Sequence, residues 1–189
     1  MRLRLVKEED AKAILDIYAQ YIDTAISFEY VLPDEESFRK RIKGIAKEYP
    51  YLVCETDEGI AGYAYAHRQM EREAYQWNAE LSIYLSKDAT SKGYGKKLYT
   101  SLMDILKLQG VKTVYGLVTV PNEKSEALHE SLGFEKVGVC KNTGYKSGAW
   151  RDVTWFEKQI APYESEPKPI FSVWEIPREK IAEILRKNS

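Results

Sequence analysis

Glu80-Leu81-Ser82-Ile83-Tyr84-Leu85 runs into Ser86-Lys87-Asp88-Ala89-Thr90-Ser91-Lys92-Gly93-Tyr94-Gly95-Lys96-Lys97-Leu98, and this junction decides how the chain is read. Residues 77–85 are strand-like. The polar loop after them gives way to a helix with Leu98, Leu102, Ile105 and Leu106 on one face, and Gly110 stands where that helix should stop. At the turn, Gly93 and Gly95 allow positive φ and let backbone N–H groups approach a ligand. The helix N-terminus adds unpaired N–H groups and the positive end of its dipole, so an anion is stabilised there. From residue 86 to 97, Lys87, Lys92, Lys96 and Lys97 face only Asp88, an excess of three positive charges. A pyrophosphate fits such a turn. Two nucleotide loops are excluded: Lys96 is followed by Lys97 where a Walker A loop needs Ser or Thr, and Leu98 occupies the third-glycine place of the dinucleotide fingerprint. An elongated, phosphate-bearing carrier such as coenzyme A survives this elimination.

Upstream, residues 2–6 alternate as a short strand, and Ile14, Ile17, Tyr18 and Tyr21 form the buried stripe of a helix. Residues 24–30 break that period and read as a loop. Asp34 is a suitable N-cap for a second helix facing Phe38, Ile42 and Ile45 inward. Residues 51–56 and 60–66 predict a hairpin across Asp57-Glu58-Gly59, followed by a polar stretch over 67–73. Downstream, residues 111–119 are β-rich, Asn122 caps a helix containing Ala127, Leu128 and Leu132, and Gly133 ends it. Residues 134–139 and 153–156 supply two more strands, with 142–151 between them. The class is α/β: a mixed sheet with helices on both faces.

From residue 161 the character changes. Pro162, Pro167, Pro169 and Pro177 are four of the seven prolines. They predict a linker and then a short helix over 178–187 with Ile181, Ile184 and Leu185 inward. The division is a domain over 1–160 and a C-terminal extension over 161–189, read as a packing element or dimer arm. Lys plus Arg total 28 against 29 acids, so no global field favours nucleic acid or an anionic membrane. A 44% hydrophobic chain is too apolar for disorder. No run reaches the roughly 18 apolar residues that span a bilayer. The N-terminal MRLRLVKEED lacks a signal-peptide core. Cys54 and Cys140 are expected as reduced, packed thiols in a cytoplasmic protein.

Lys92-Gly93-Tyr94-Gly95-Lys96-Lys97-Leu98 resembles the acyl-CoA pyrophosphate loop of the GNAT N-acetyltransferases. Asn122-Glu123-Lys124-Ser125, Leu128-His129-Glu130 and Leu132-Gly133-Phe134 resemble that superfamily's downstream motif. Within it, the phosphinothricin and methionine sulfoximine acetyltransferase group is most similar. The carrying residues are Ser27-Phe28, Ala74-Tyr75-Gln76-Trp77, Glu80 through the strand to Leu85, and Gly144-Tyr145-Lys146 with Gly148, Trp150, Asp152 and Val153. The similarity spans residues 3–156 and implies a GNAT-like, mostly antiparallel sheet. It implies acetyl-CoA as co-substrate, with the pantetheine arm along Ile83, Tyr84 and Leu85 and against Asn122. The phosphates would lie at Ser91, Lys92, Gly93, Tyr94, Gly95 and Lys96. Two places depart from the pattern: Thr90 stands where the loop usually has Arg or Gln, and Gln76 where the group often has Arg. Gln76 cannot clamp a carboxylate as a charged fork.

An aliphatic amine has a pKa of roughly 10, so its acetylation at neutral pH needs a base. A carboxylate inside an apolar strand is costly unless solvated or paired, and burial raises its pKa. Glu80 is such a carboxylate, and the resemblance implies it as the general base. His129 stands where many relatives carry a Tyr acid, which implies an imidazolium that protonates the leaving thiolate. Phe28, Tyr75, Gln76 and Trp77 are expected at the acceptor site, and His67 is read as structural. No His/Cys/acid spacing suits a metal, so none is expected. The expected enzyme is a homodimeric N-acetyltransferase acting on a small amine by direct attack. Acetylation of a protein or peptide, and a non-catalytic CoA-binding sensor, stay open as alternatives.

Overall fold

The computed structural model describes residues 1–189. Seven strands form one sheet: β1 (Arg2–Leu5), β2 (Tyr51–Thr56), β3 (Gly59–Arg68), β4 (Asn78–Leu85), β5 (Thr113–Val120), β6 (Glu135–Lys146) and β7 (Ala149–Gln159). Their order is β1-β2-β3-β4-β5-β7-β6. All neighbours are antiparallel except β4 and β5, which run parallel. The helices are α1 (Ala11–Ala19), α2 (Glu35–Ala46), α3 (Tyr94–Gln109), α4 (Glu123–Ser131) and α5 (Arg178–Asn188). None is long and apolar enough to cross a membrane.

Period-two alternation sorts the side chains between two cores. On β2, Leu52 and Cys54 enter the cluster built with Leu98, Leu102, Ile105 and Leu106 of α3. Tyr51 and Val53 enter the cluster built with Ile14, Ile17 and Tyr18 of α1 and Phe38 and Ile42 of α2. Helices therefore cover both faces, as the sequence pattern predicts. The helix limits have local causes. The Asp34 carboxylate accepts from Ser37 N at 2.9 Å, and Gly110 ends α3 at φ +98°. Tyr21 lies beyond the end of α1, although its spacing continues the helical stripe.

Two further expectations are corrected. The strands expected over 134–139 and 153–156 extend through most of residues 142–151: β6 and β7 pair down to Lys146 and Ala149, leaving a two-residue turn. Ser147 and Gly148, at φ +52° and +75°, give the left-handed pair that suits a tight hairpin. The ladder is irregular between Cys140 and Gly144, where Asn142 takes φ +51°. Cys140 is exposed on the edge strand β6, and only Cys54 is packed.

Residues 161–189 are sewn to the body by side chains from several elements. Trp77 Nε1 donates to Lys168 O at 2.8 Å, and Ile170 N donates to Gln76 Oε1 at 3.2 Å. Gln109 Nε2, at the end of α3, donates to Phe171 O at 2.8 Å and Glu48 O at 2.9 Å. Val173, Ile176, Ile181 and Leu185 then join the α3 core. Leu185→Ala is expected to cost about 2–3 kcal/mol, the low part of the range for a buried leucine. Urea denaturation checks it, and an unchanged midpoint would show that α5 contributes no stability.

Candidate active site

The parallel ladder between β4 and β5 runs from Asn78↔Thr113 only to Leu81↔Gly116. Beyond it β4 stays with β3 as far as Leu85↔Gly62, and β5 stays with β7 as far as Val120↔Asp152. The two central strands therefore part. Peptide groups along a strand alternate between its two neighbours, so beyond Leu81 half of those on β4 face a gap. A cavity of about 480 Å³ fills the gap. That volume suits a small-molecule site.

The N-terminus of α3 closes one side. Gly93 takes φ +82°, and the helix starts with no side-chain cap on its N–H groups. Gly95 is buried, and a Cβ there would lie 3.4 Å from Leu128, 3.5 Å from Ile83 and 3.6 Å from Leu85. These are ordinary contact distances, and they place the start of α3 against both β4 and α4. Ser91, Gly93, Gly95 and Lys96 line the cavity, as do Ile83, Tyr84 and Leu85 from β4. Lys92 and Tyr94 instead face a separate depression beside Gly59 and Ile60 of the β2–β3 hairpin. Lys124 is a further cation at this corner, which the loop motif alone does not disclose. Its ammonium donates to Thr90 Oγ1 at 3.3 Å, and both residues line the cavity. Uncapped amides, two glycines and two lysines fit a pyrophosphate.

Opposite this corner, Asn122 both caps α4, accepting from Ser125 N at 3.3 Å, and lines the cavity. Its Nδ2 donor stays available to a ligand. His129, on α4, is 2% exposed. Its Nδ1 donates to Ser125 O at 2.8 Å, because a carbonyl can only accept. The ring stacks on Phe156 at 5.1 Å and meets Tyr99 and Phe134 edge-on. Nε2 is buried without a partner and abuts Gly116, where a Cβ would lie 2.1 Å away. Burial lowers the pKa of His129, so the ring is held neutral near pH 7.

Glu80 projects from β4 into the cavity, on the face opposite the buried Ala79 and Leu81. Burial raises its pKa, and His67 opposes that shift. His67 sits at the end of β3 directly across from Glu80, with Nε2 3.7 Å from Oε1. It lay in a stretch read as a polar connection, so only strand pairing discloses the contact. The expected acceptor residues lie outside the cavity. The Phe28 ring covers Gly144 of β6, Tyr75 is exposed, and Gln76 and Trp77 hold the C-terminal segment.

A parted parallel pair, an anion corner and a partly buried carboxylate define an acetyltransferase cleft. The profile of the acetyltransferase (GNAT) domain matches residues 3–155. The phosphinothricin N-acetyltransferase of Streptomyces viridochromogenes is 32% identical over 177 residues, covering 93% of this chain and 96% of that one. The L-methionine sulfoximine/L-methionine sulfone acetyltransferase of Pseudomonas paraeruginosa is 32% identical over 120 residues, 63% of this chain and 70% of that one. The crystal structure of a phosphinothricin acetyltransferase from Sinorhizobium meliloti in complex with AcCoA superposes with TM-score 0.83 at 33% identity, covering 88% and 91% of the two chains. The chain belongs to the GNAT acetyltransferase family. It is an N-acetyltransferase related to the phosphinothricin and methionine sulfoximine group, as the motif resemblance implies.

Burial of His129 has a consequence for stability. Its folded pKa lies below the ordinary value of 6.5, so the unfolded chain binds more protons as pH falls. The stability this adds is complete above about pH 6.5 and is lost as pH drops toward the depressed folded value. His129→Leu is expected to lose less stability than wild type between pH 7.5 and 5.5 in urea denaturation. Equal losses would show that the folded ring protonates freely.

Proposed function

We propose that the enzyme transfers acetyl from acetyl-CoA to the amino group of a small amino-acid-like molecule, with Glu80 as general base. The names of the relatives support the phosphinothricin and methionine sulfoximine class of acceptor. The observation that carries the base assignment is a carboxylate with burial-raised pKa at the point where β4 and β5 part.

Bound thioester supplies an acetyl carbonyl open to attack and a sulfur that can leave. The chain's own groups do the rest. The amides at the start of α3, with Lys96 and Lys124, hold the phosphates. Inward peptide groups of β4 beyond Leu81 pair with the pantetheine arm, Asn122 Nδ2 donates to it, and a free β4 N–H faces the developing oxyanion. Glu80 takes a proton from the acceptor nitrogen. Its pKa, raised by burial, makes it a better proton acceptor than a solvated carboxylate. His129 enters this reading as the neutral ring that forms the cavity wall against Gly116. The assembly proposed is a homodimer, with Val137, Tyr145 and Trp150 exposed on the β6–β7 hairpin as apolar contact surface.

Free-thiol release with a panel of amino acids tests the reading. Turnover is expected with phosphinothricin or methionine sulfoximine, and kcat/KM should fall on an acid limb above the usual carboxylate range. Acetyl-CoA binding without amine-dependent release at any pH would identify a sensor instead. Glu80→Gln is expected to lower turnover about 10²-fold or more while acetyl-CoA still binds in calorimetry. An unchanged pH–rate profile in that variant would remove Glu80 from the role.

A further inference from the structure

Glu80 accepts no hydrogen bond from the chain, and the His67 imidazole is its one partner within ion-pair distance. A base so placed can collect a proton but has no internal route for losing it. The register pairs His67 with Glu80 across β3 and β4, so both side chains stand on one face of the sheet. His67 Nδ1 lies 3.0 Å from Arg68 O. A carbonyl only accepts, so Nδ1 carries the hydrogen and the neutral ring turns its Nε2 lone pair toward Glu80. The separation of 3.7 Å closes to hydrogen-bond length with a shift of about 1 Å at the end of a flexible glutamate. Exposure also rises along this line, from 22% for the Glu80 side chain to 35% for His67. The pair leads from the cavity to solvent.

We propose that His67 is the positioning and proton-exit residue of the reaction, receiving at Nε2 the proton that Glu80 removes from the acceptor nitrogen and releasing it to water. This rests on the reading of Glu80 as the base. The steps balance. An ammonium acceptor loses two protons. The first passes to Glu80 Oε1, then to His67 Nε2 and solvent. The second leaves with the CoA sulfur as thiol when the carbon–sulfur bond breaks, and the Nδ1 hydrogen stays on its nitrogen, donated to Arg68 O. In the intermediate state an imidazolium N–H faces a carboxylate, which orients Glu80 and favours its ionised form for the next turnover.

Other groups near the pair do not compete for this role. On β3 the Tyr65 ring lies 6.0 Å from the imidazole, and on β5 Tyr115 is the register partner of Glu80. Burial raises both phenols, which keeps them protonated near neutrality. Tyr99, on α3 behind the sheet, is likewise raised by burial. On β7 Glu157 pairs with Tyr115, and the more distant Arg41 and Glu29 are bound to each other at 2.6 Å. The imidazole differs from these groups in offering a ring nitrogen that can take up a proton and release it again.

The test compares pH profiles of kcat/KM for wild type, His67→Gln, His67→Ala and Glu80→Gln. Glutamine keeps a polar side chain of similar reach but cannot carry the proton. His67→Gln is expected to lower kcat/KM about tenfold and to move its acid limb toward higher pH, since the influence of His67 that opposes the burial-raised pKa of Glu80 is gone. Acetyl-CoA affinity by calorimetry and the melting temperature should stay at wild-type values. Added imidazole is expected to restore part of the rate in His67→Ala. A His67→Gln profile that overlays wild type, or a uniform loss with an unmoved limb and no imidazole rescue, overturns the proposal. Glu80→Gln separates the two failures. If it turns over like wild type, the base assignment itself is lost. If it is inactive while His67→Gln behaves as wild type, the base stands and only the exit is lost.

Discussion

The end of the parallel ladder at Leu81 and Gly116 is the constraint on which the rest of the molecule turns. Unpaired backbone groups inside a protein are costly, so a sheet does not open at its centre without something to occupy the opening. Here both strands keep their outer neighbours, β3 and β7, and give up only each other. Two glycines make that geometry feasible. Gly62 leaves room for Leu85, whose Cδ2 would lie 2.3 Å from a Cβ, and Gly116 leaves room for the His129 ring. The opening is thus held by packing on both flanks, and the polar edges it leaves are ready-made partners for an extended amide-bearing arm.

The same opening explains why one carboxylate can differ from all the other acids of the chain. Exposed acids such as Glu35, Glu36 and Asp16 pair with cations one helical turn away and gain little from it. Glu80 stands among Tyr65, Tyr115 and the cavity wall, where desolvation acts on it with only His67 in opposition. Its pKa is therefore set by strand register. A one-residue slip of β4 would turn it into the core occupied by Ala79 and Leu81.

Most of the fold was legible because it is written in local signals. Period-two runs, the Asp34 and Asn122 caps, and the stops at Gly110 and Gly133 each act within a few residues. The parts of the proposed anion corner, glycines, lysines and a helix start, were legible for the same reason, since they are contiguous. What escaped depends on register or on distant chain. His67 is an ordinary residue at a strand end until β4 pairs with β3. The β6–β7 hairpin needs two left-handed residues at Ser147 and Gly148, and the irregularity at Asn142 interrupts the alternation that would have marked it. Tyr75, Gln76 and Trp77 are expected at the acceptor site because of the family resemblance. In the folded chain the polar atoms of Gln76 and Trp77 are taken by backbone about ninety residues later, at Lys168 and Ile170. That arrangement anchors the start of β4 to the C-terminal segment, so the motif acts on the site by fixing the strand that carries Glu80.

Thr90 shows how a departure from a familiar loop can be offset elsewhere in the fold. A threonine offers no charge to a phosphate, but the Lys124 ammonium rests on its hydroxyl at 3.3 Å. That contact is exposed and neutral on one side, so little free energy holds the lysine there and a phosphate oxygen would readily replace the hydroxyl. Lys124 is two residues beyond Asn122, whose cap fixes the first turn of α4. The positive charge missing from the loop is therefore supplied by the helix that also presents Asn122 to the cavity. One short element thus carries two of the groups proposed to hold the carrier, and His129 seated on Gly116 packs it against the sheet. The proposed anion and carrier contacts and the parting of the strands are thus tied to a single helix placement.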